Sequence, residues 1–206
     1  GCFNQGLVVY GRGGELVHTL ALPQDVVAEA FEHSRSLGVP LTAFRGDGCA
    51  TLAAHPLLDR LADVYHEPRS EVQPSLGALL AGPPAQKLLF YAESAEAVSG
   101  GLRPALEEAL AGRAAVTQAC PDMLEVLPLG GSKGGGVEAM LRSLGVAPER
   151  VLAVGDGEND LGMLALVGQG VAMANAVPAV KDACGVVLSS TNDEDGVAEA
   201  IERFVL

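Results

Sequence analysis

The sequence contains no tryptophan, and aromatic residues make up only 4% of its 206 positions. A sandwich-type β core is poorly served by that supply, whereas abundant alanine and glycine suit closely packed α/β layers. Positive charge is scarce as well: 13 Lys and Arg stand against 26 Asp and Glu, for a formal net charge of −13. Nucleic acids and anionic membranes would repel such a chain, so neither is expected as a partner, and the acidity is read as solubility. No stretch approaches the ~20 consecutive apolar residues of a membrane-spanning helix. Cys2, Cys49, Cys120 and Cys184 lie far apart, with no C-x-x-C and no Cys/His ligand spacing. That spacing excludes a zinc framework or a disulfide scaffold and predicts reduced thiols in an intracellular protein, cytoplasmic or plastid. His18, His33, His55 and His66 are equally scattered, and no signal or transit signature follows Gly1.

Apolar residues make up 49% of the chain, and they are patterned. Leu7–Tyr10 and Glu15–Leu20 flank Gly11-Arg-Gly-Gly14 and predict a hairpin. Pro23 opens a helix whose apolar face runs through Val26, Val27, Ala30, Phe31 and Leu37 until Gly38 stops it. Short strands at 39–44, 49–53, 87–91, 115–119 and 123–127 follow, with helices at 57–65 and 95–111. Residues 67–84 form a Pro/Ser/Gly-rich loop with a short helix at 76–80. From Val137 onward strand and helix alternate regularly: helix to Gly145, strand 151–154, helix 160–167, strand 171–174, helix 178–183, strand 186–188, helix 196–205. Such alternation implies a parallel, doubly wound α/β sheet. The paired strands of the middle imply an inserted α+β module. The expected division is therefore a core of residues 1–22 and 120–206 and a cap domain of residues 23–119.

The densest chemistry lies where the strand 151–154 ends. Asp156, Glu158, Asn159 and Asp160 follow Gly155 within five positions. Carboxylates at a strand tip are desolvated and repel one another, a cost that a hard divalent cation offsets. Mg²⁺ takes one or two carboxylates and keeps water and substrate phosphate as its other ligands. A dinucleotide fingerprint would need Gly rather than Asp160, and an EF-hand would need Gly and Glu where Leu161 and Val167 stand. Lys133, in Leu129-Gly-Gly-Ser-Lys-Gly-Gly-Gly136, opens a helix and could hold a phosphoryl oxygen. At ~4 Å and an effective dielectric of ~20 that attraction is about 4 kcal/mol before desolvation. The spacing is not that of a P-loop. Asp193-Glu-Asp-Gly196 imitates a nucleophile-plus-acid pair, but Ser189–Asn192 separates it from the preceding apolar run, so it is read as a helix cap.

With S-K-G before a helix, G-D-G-E-N-D followed by M-L, V-A-M-x-N-A at 171–176 and N-D-E-D-G-V-A at 192–198, the chain resembles haloacid dehalogenase-superfamily phosphatases of the Cof type. The opening G-L-V-V-Y-G-R-G-G-E and Y-H-E-P at 65–68 resemble plant and algal members. The resemblance implies a Rossmann-like core with an inserted cap, and Mg²⁺-dependent hydrolysis of small phosphomonoesters such as sugar phosphates through an aspartyl-phosphate. It implies Asp156 and Asp160 as metal carboxylates, Lys133 as the group neutralising phosphoryl charge, and Asn159 as a donor to the phosphate. The family's nucleophile motif, D-x-D-G-T, does not occur in the 206 residues. The resemblance thus implies a fragment without the N-terminal core strands, inactive alone. The rival expectation is a non-catalytic phosphate-binding or scaffold protein that keeps half a site.

Overall fold

The computed structural model describes Cys2–Phe3 and residues 6–206, without the side chains of Cys2, Phe3 and Ala119. The chain divides into two compact units, Gly1–His18 with Ser132–Leu206, and Thr19–Gly131.

The continuous unit is built on six strands: β4 (Leu41–Arg45), β5 (Gly48–Thr51), β6 (Ser70–Val72), β7 (Lys87–Tyr91), β8 (Ala114–Cys120) and β9 (Met123–Pro128). They lie in the order β6-β5-β4-β7-β9-β8, antiparallel except for the β5–β6 pair. Strand alternation sends Leu41, Ala43, Ala50, Leu88, Phe90, Leu124 and Val126 to one face. Val26, Val27, Ala30 and Phe31 of α1 (Gln24–Leu37) cover that face, together with Leu102, Leu106 and Leu110. Each of these Val, Leu and Phe side chains contributes about 1.5–3 kcal/mol by leaving water. The opposite face sets Phe44, Cys49, Leu89, Tyr91 and Met123 against Leu58 and Leu61 of α2 (Pro56–Tyr65). Burial pushes the Cys49 thiol up to about 12, with Glu67 adding to the shift, so this cysteine stays protonated and inert. Cys49, Cys120 and Cys184 are all free thiols.

Local chemistry explains most boundaries. α1 ends on Gly38 at φ 67°, in the left-handed region that favours glycine. α2 starts where His55 accepts the Leu57 amide at 3.2 Å. The helix expected over 95–111 is instead α4 (Ala95–Ala97), a π-helical turn at Val98–Leu102, and α5 (Arg103–Ala109). Gly100 and Gly101, the weakest helix formers of the segment, sit at the widened turn. The loop expected at 67–84 holds β6 as well as α3 (Leu76–Ala81). A larger correction concerns the unit boundary. Met123–Pro128, expected in the core, pairs with β7 on one side and β8 on the other. The strand therefore belongs to the continuous unit, whose ends lie at 18/19 and 131/132 rather than 22/23 and 119/120.

In the split unit β1 (Cys2–Phe3), β2 (Val8–Tyr10) and β3 (Leu16–Thr19) form a three-stranded sheet, with β2 and β3 the expected hairpin. α6 (Lys133–Leu144) ends on Gly145 at φ 65°. β10 (Leu152–Gly155) and β11 (Gln169–Ala172) pair in parallel, with α7 (Leu161–Leu166) as their crossover. α8 (Pro178–Ala183) and α9 (Gly196–Phe204) complete the unit. The strand expected at 186–188 is a single parallel bridge, Ala172 to Val187, because only Ala172 exchanges backbone hydrogen bonds with this segment.

Candidate active site

Ser132 caps α6, its Oγ accepting the Gly135 amide at 3.0 Å, so Lys133 is the first residue of the helix. The glycines behind it are not a flexible loop opened for a ligand; they are the helix's first turn. Gly134 is where α6 meets α7: a Cβ there would lie 2.7 Å from the Gly162 carbonyl carbon. That approach brings Lys133 Nζ to Asp160 Oδ1, 2.6 Å away. Gly134→Ala is accordingly expected to destabilise by about 1–3 kcal/mol through overpacking, despite alanine's better helix propensity. Gly101→Ala, whose Cβ would meet open space, is the matched control. Urea midpoints of the two variants check the contrast.

β10 delivers the acidic loop. A Cβ on Gly155 would stand 2.7 Å from the Asp160 Cβ, so only glycine lets the chain fold back over this carboxylate. Asp160 closes the 3₁₀ turn Glu158–Asp160, and its Oδ2 accepts the backbone amides of Asp156 and Gly157, both at 3.0 Å. Its side chain is 6% exposed, against 34% for Lys133. Burial alone would raise the Asp160 carboxyl. The Lys133 hydrogen bond, the two loop amides and the Lys133 charge outweigh it, and the net shift is downward. Stability drawn from this ionised carboxylate is therefore present above its ordinary pKa of 3.8 and lost as pH falls below it.

Asp156 is half-buried, and its Oδ2 accepts from Asn175 Nδ2 at 2.8 Å. Asn159 is half-buried, and its side chain makes no hydrogen bond to a described residue. The four residues expected at the site thus come together within one unit, with Lys133 and Asp160 directly paired. Asn175, the Asn of V-A-M-x-N-A, joins the site although the sequence assigns it no role. Its polar side chain amid the small apolar residues of 171–176 was the available signal.

The acidic turn before α9 departs from expectation. Asp195 occupies the N-cap position at φ 58° and makes no side-chain capping bond. Glu194 instead accepts from the Thr191 amide at 3.3 Å and hydroxyl at 2.9 Å, and Asp193 from Asn192 Nδ2 at 3.1 Å. Glu194 and Asp193 thus bond within their own turn rather than to the helix amides. Glu199, one turn into α9, accepts the amides of Ser189 and Ser190 and the Ser189 hydroxyl. Those bonds and Arg203 hold its carboxyl down at about 2, so this anchor persists at mildly acidic pH and is lost as pH falls toward 2.

Among the described residues no group of three or more His, Cys, Asp or Glu forms a metal cage. The donors present are nevertheless hard oxygens at a strand tip, and Mg²⁺ needs only one or two carboxylates beside water and phosphate. Asp156 fits that demand, with Oδ1 having no protein partner among the described residues. Asp160 is more heavily engaged, its Oδ1 accepting from Lys133 and its Oδ2 from two amides, which leaves one lone pair on Oδ1.

A strand-tip acidic loop with a helix-borne lysine paired to it, in a unit interrupted by a second α/β unit, is the arrangement to set beside known proteins. The chain belongs to the haloacid dehalogenase-like hydrolase family, whose sequence model matches residues 2–201. Over 204 residues, 99% of the chain, it is 46% identical to an Arabidopsis thaliana protein named "Endoribonuclease YBEY, chloroplastic", and it spans 35% of that protein. It is 30% identical over 181 residues to the HMP-PP phosphatase of Serratia proteamaculans, covering 85% of this chain and 63% of that one. A haloacid dehalogenase-like hydrolase from Bacteroides thetaiotaomicron has a similar structure at 32% identity, with a TM-score of 0.78 over 93% of this chain and 70% of that one.

Proposed function

We propose that the chain carries the charge-neutralising, phosphate-binding face of a phosphatase that acts on small phosphorylated metabolites such as sugar phosphates. The observation that carries this reading is the double grip of Asp160, which holds Lys133 at 2.6 Å and two loop amides at 3.0 Å. An ammonium has three donors. One binds Asp160 here, which leaves Lys133 oriented and able to give the others to phosphoryl oxygens. Asn159 supplies an amide donor from the same loop. Asp156 presents its carboxylate as the protein's ligand for Mg²⁺, and Asp160 keeps the loop in register behind it. When bound, Mg²⁺ supplies positive charge against the phosphoryl oxygens and a template for in-line displacement. Positioning and charge neutralisation carry most of phosphoryl-transfer catalysis.

The carboxylate that attacks phosphorus and becomes the aspartyl-phosphate is, in this reading, none of those described. Asp160 is tied to Lys133 and two loop amides, Asp156 would hold the metal, and Asp193 and Asp195 belong to the turn before α9. The name of the Serratia relative supports a phosphorylated metabolite as the substrate class. That of the Arabidopsis relative supports a plastid location, and no helix among the described residues is long and apolar enough to cross a membrane.

The 206-residue chain is expected to bind inorganic phosphate in a Lys133-dependent way and to leave p-nitrophenyl phosphate intact with or without Mg²⁺. Calorimetry and a colorimetric assay read the two parts. Mg²⁺-dependent turnover that disappears in Asp193→Asn would move the nucleophile into the acidic turn and overturn the assignment. Phosphate binding that survives Lys133→Ala would overturn the role of the lysine. If a longer chain carrying this segment binds phosphate but turns over no phosphomonoester, the protein is a phosphate-ligand binder or scaffold.

A further inference from the structure

We infer that Asn175 is a positioning residue: it fixes the Asp156 carboxylate and ties it to the turn anchored on Glu199. The inference rests on the reading of Asp156 as the metal-facing carboxylate and goes beyond it by naming what holds that group in place.

Both ends of the Asn175 amide are used, in opposite directions. Nδ2 donates to Asp156 Oδ2 at 2.8 Å, and Oδ1 accepts the Asn192 backbone amide at 2.9 Å. The backbone around it is pinned on the same two sides. The Ala174 amide donates to the Ser190 carbonyl at 3.1 Å, and the Val177 amide donates to the Asp156 carbonyl at 2.9 Å. Ser189 and Ser190 are in turn held by Glu199, at 3.1 and 2.9 Å to its Oε2. A continuous path thus runs from α9 through the 189–192 turn to Asp156. Only a side chain with a donor and an acceptor on one planar group serves both neighbours. Asp would set a second carboxylate against Asp156, and Ala would abandon both contacts. Asn175 is exposed, and its bond to Oδ2 biases the Asp156 carboxylate toward the orientation that leaves Oδ1 without a partner among the described residues. Partners that orient a ligating carboxylate commonly influence metal affinity ~10–100-fold.

The test uses the 206-residue chain, calorimetric titration with Mg²⁺ alone, and ¹⁵N NMR of the Asn175 side-chain amide and the Asn192 backbone amide. Asn175→Ala is expected to weaken Mg²⁺ binding ~10–100-fold. It should also speed hydrogen exchange at Asn192 while leaving Ser189 and Ser190, held by Glu199, protected. Asp156→Ala, made in parallel, is expected to shift the Asn175 NH₂ signals and to speed exchange at Asn192. Wild-type Mg²⁺ affinity in Asn175→Ala, together with lost affinity in Asp156→Asn, would overturn the positioning role and spare the metal reading. Absence of Mg²⁺ binding by the wild type, or unchanged binding in Asp156→Asn, would instead overturn the metal reading. The clamp is then judged by NMR, and unperturbed Asn175 and Asn192 signals in Asp156→Ala would overturn it.

Discussion

Lys133→Ala, made in an active enzyme that carries this segment, is expected to lower turnover about 10²–10³-fold at saturating Mg²⁺, the usual cost of removing one preorganised contact to developing charge. The structure separates this loss from simple unfolding. Without the ammonium, Asp160 still accepts two loop amides, so the stability cost is that of one charge-assisted hydrogen bond, about 1.5–3 kcal/mol. Turnover per folded molecule and the urea midpoint distinguish the two. Asp160→Asn is expected to lose both, because the pair with Lys133 goes while the amide side remains, and the lysine is left without its guide. Excess Mg²⁺ is not expected to rescue Lys133→Ala, since an ammonium lends the metal no oxygen. Asp193→Asn, which removes one contact to Asn192 within an exposed turn, is expected to stay near wild-type turnover. Were Lys133 dispensable, or Asp193 essential, the assignment of the site would be wrong.

The second large effect lies in the continuous unit. Lys87 and Glu125 form an ion pair at 3.0 Å with side chains 9% and 4% exposed, and the lysine lies 4.3 Å from the centre of the Phe44 ring. Lys87→Met keeps the aliphatic packing and removes only the ammonium. Glu125 is left buried without that counter-charge, and the expected cost is about 3–5 kcal/mol. Lys87→Met combined with Glu125→Leu is expected to recover most of the loss, because replacing a whole buried pair by apolar groups is often neutral. Equilibrium urea unfolding of both variants checks the pattern. A double variant as unstable as the single one would show that Glu125 matters for more than its lysine.

Much of this architecture could be read from the residues themselves, where the deciding forces are local. The stops at Gly38 and Gly145, the strand at Lys87–Tyr91 and the helix at Pro178–Ala183 follow from caps and periodicity within a few positions. What escaped depended on partners distant in sequence. Met123–Pro128 reads as a strand, but alternation does not say which sheet receives it. Ser70–Val72 is short and polar, and it extends only because β5 lies beside it. At the site, residue type and loop position pointed to Lys133, Asp156, Asn159 and Asp160. They did not reveal that Asp160 would spend both oxygens on protein donors, nor that Gly134 would serve packing between helices rather than the approach of a ligand.

The division of the chain also bears on the order in which it folds. Thr19–Gly131 is one uninterrupted stretch, and every strand of its sheet finds its neighbours within that stretch. The other unit is made of two pieces with that stretch between them, so α6 can pack on β2 only after a long loop has closed. For a flexible loop the entropic cost of closure grows slowly, by about 0.6 kcal/mol per doubling of length. A middle that has already collapsed holds its two ends at one separation, and the closure then costs less than it would from a disordered chain. Docking of the two separated pieces is thus favoured once the uninterrupted stretch has folded.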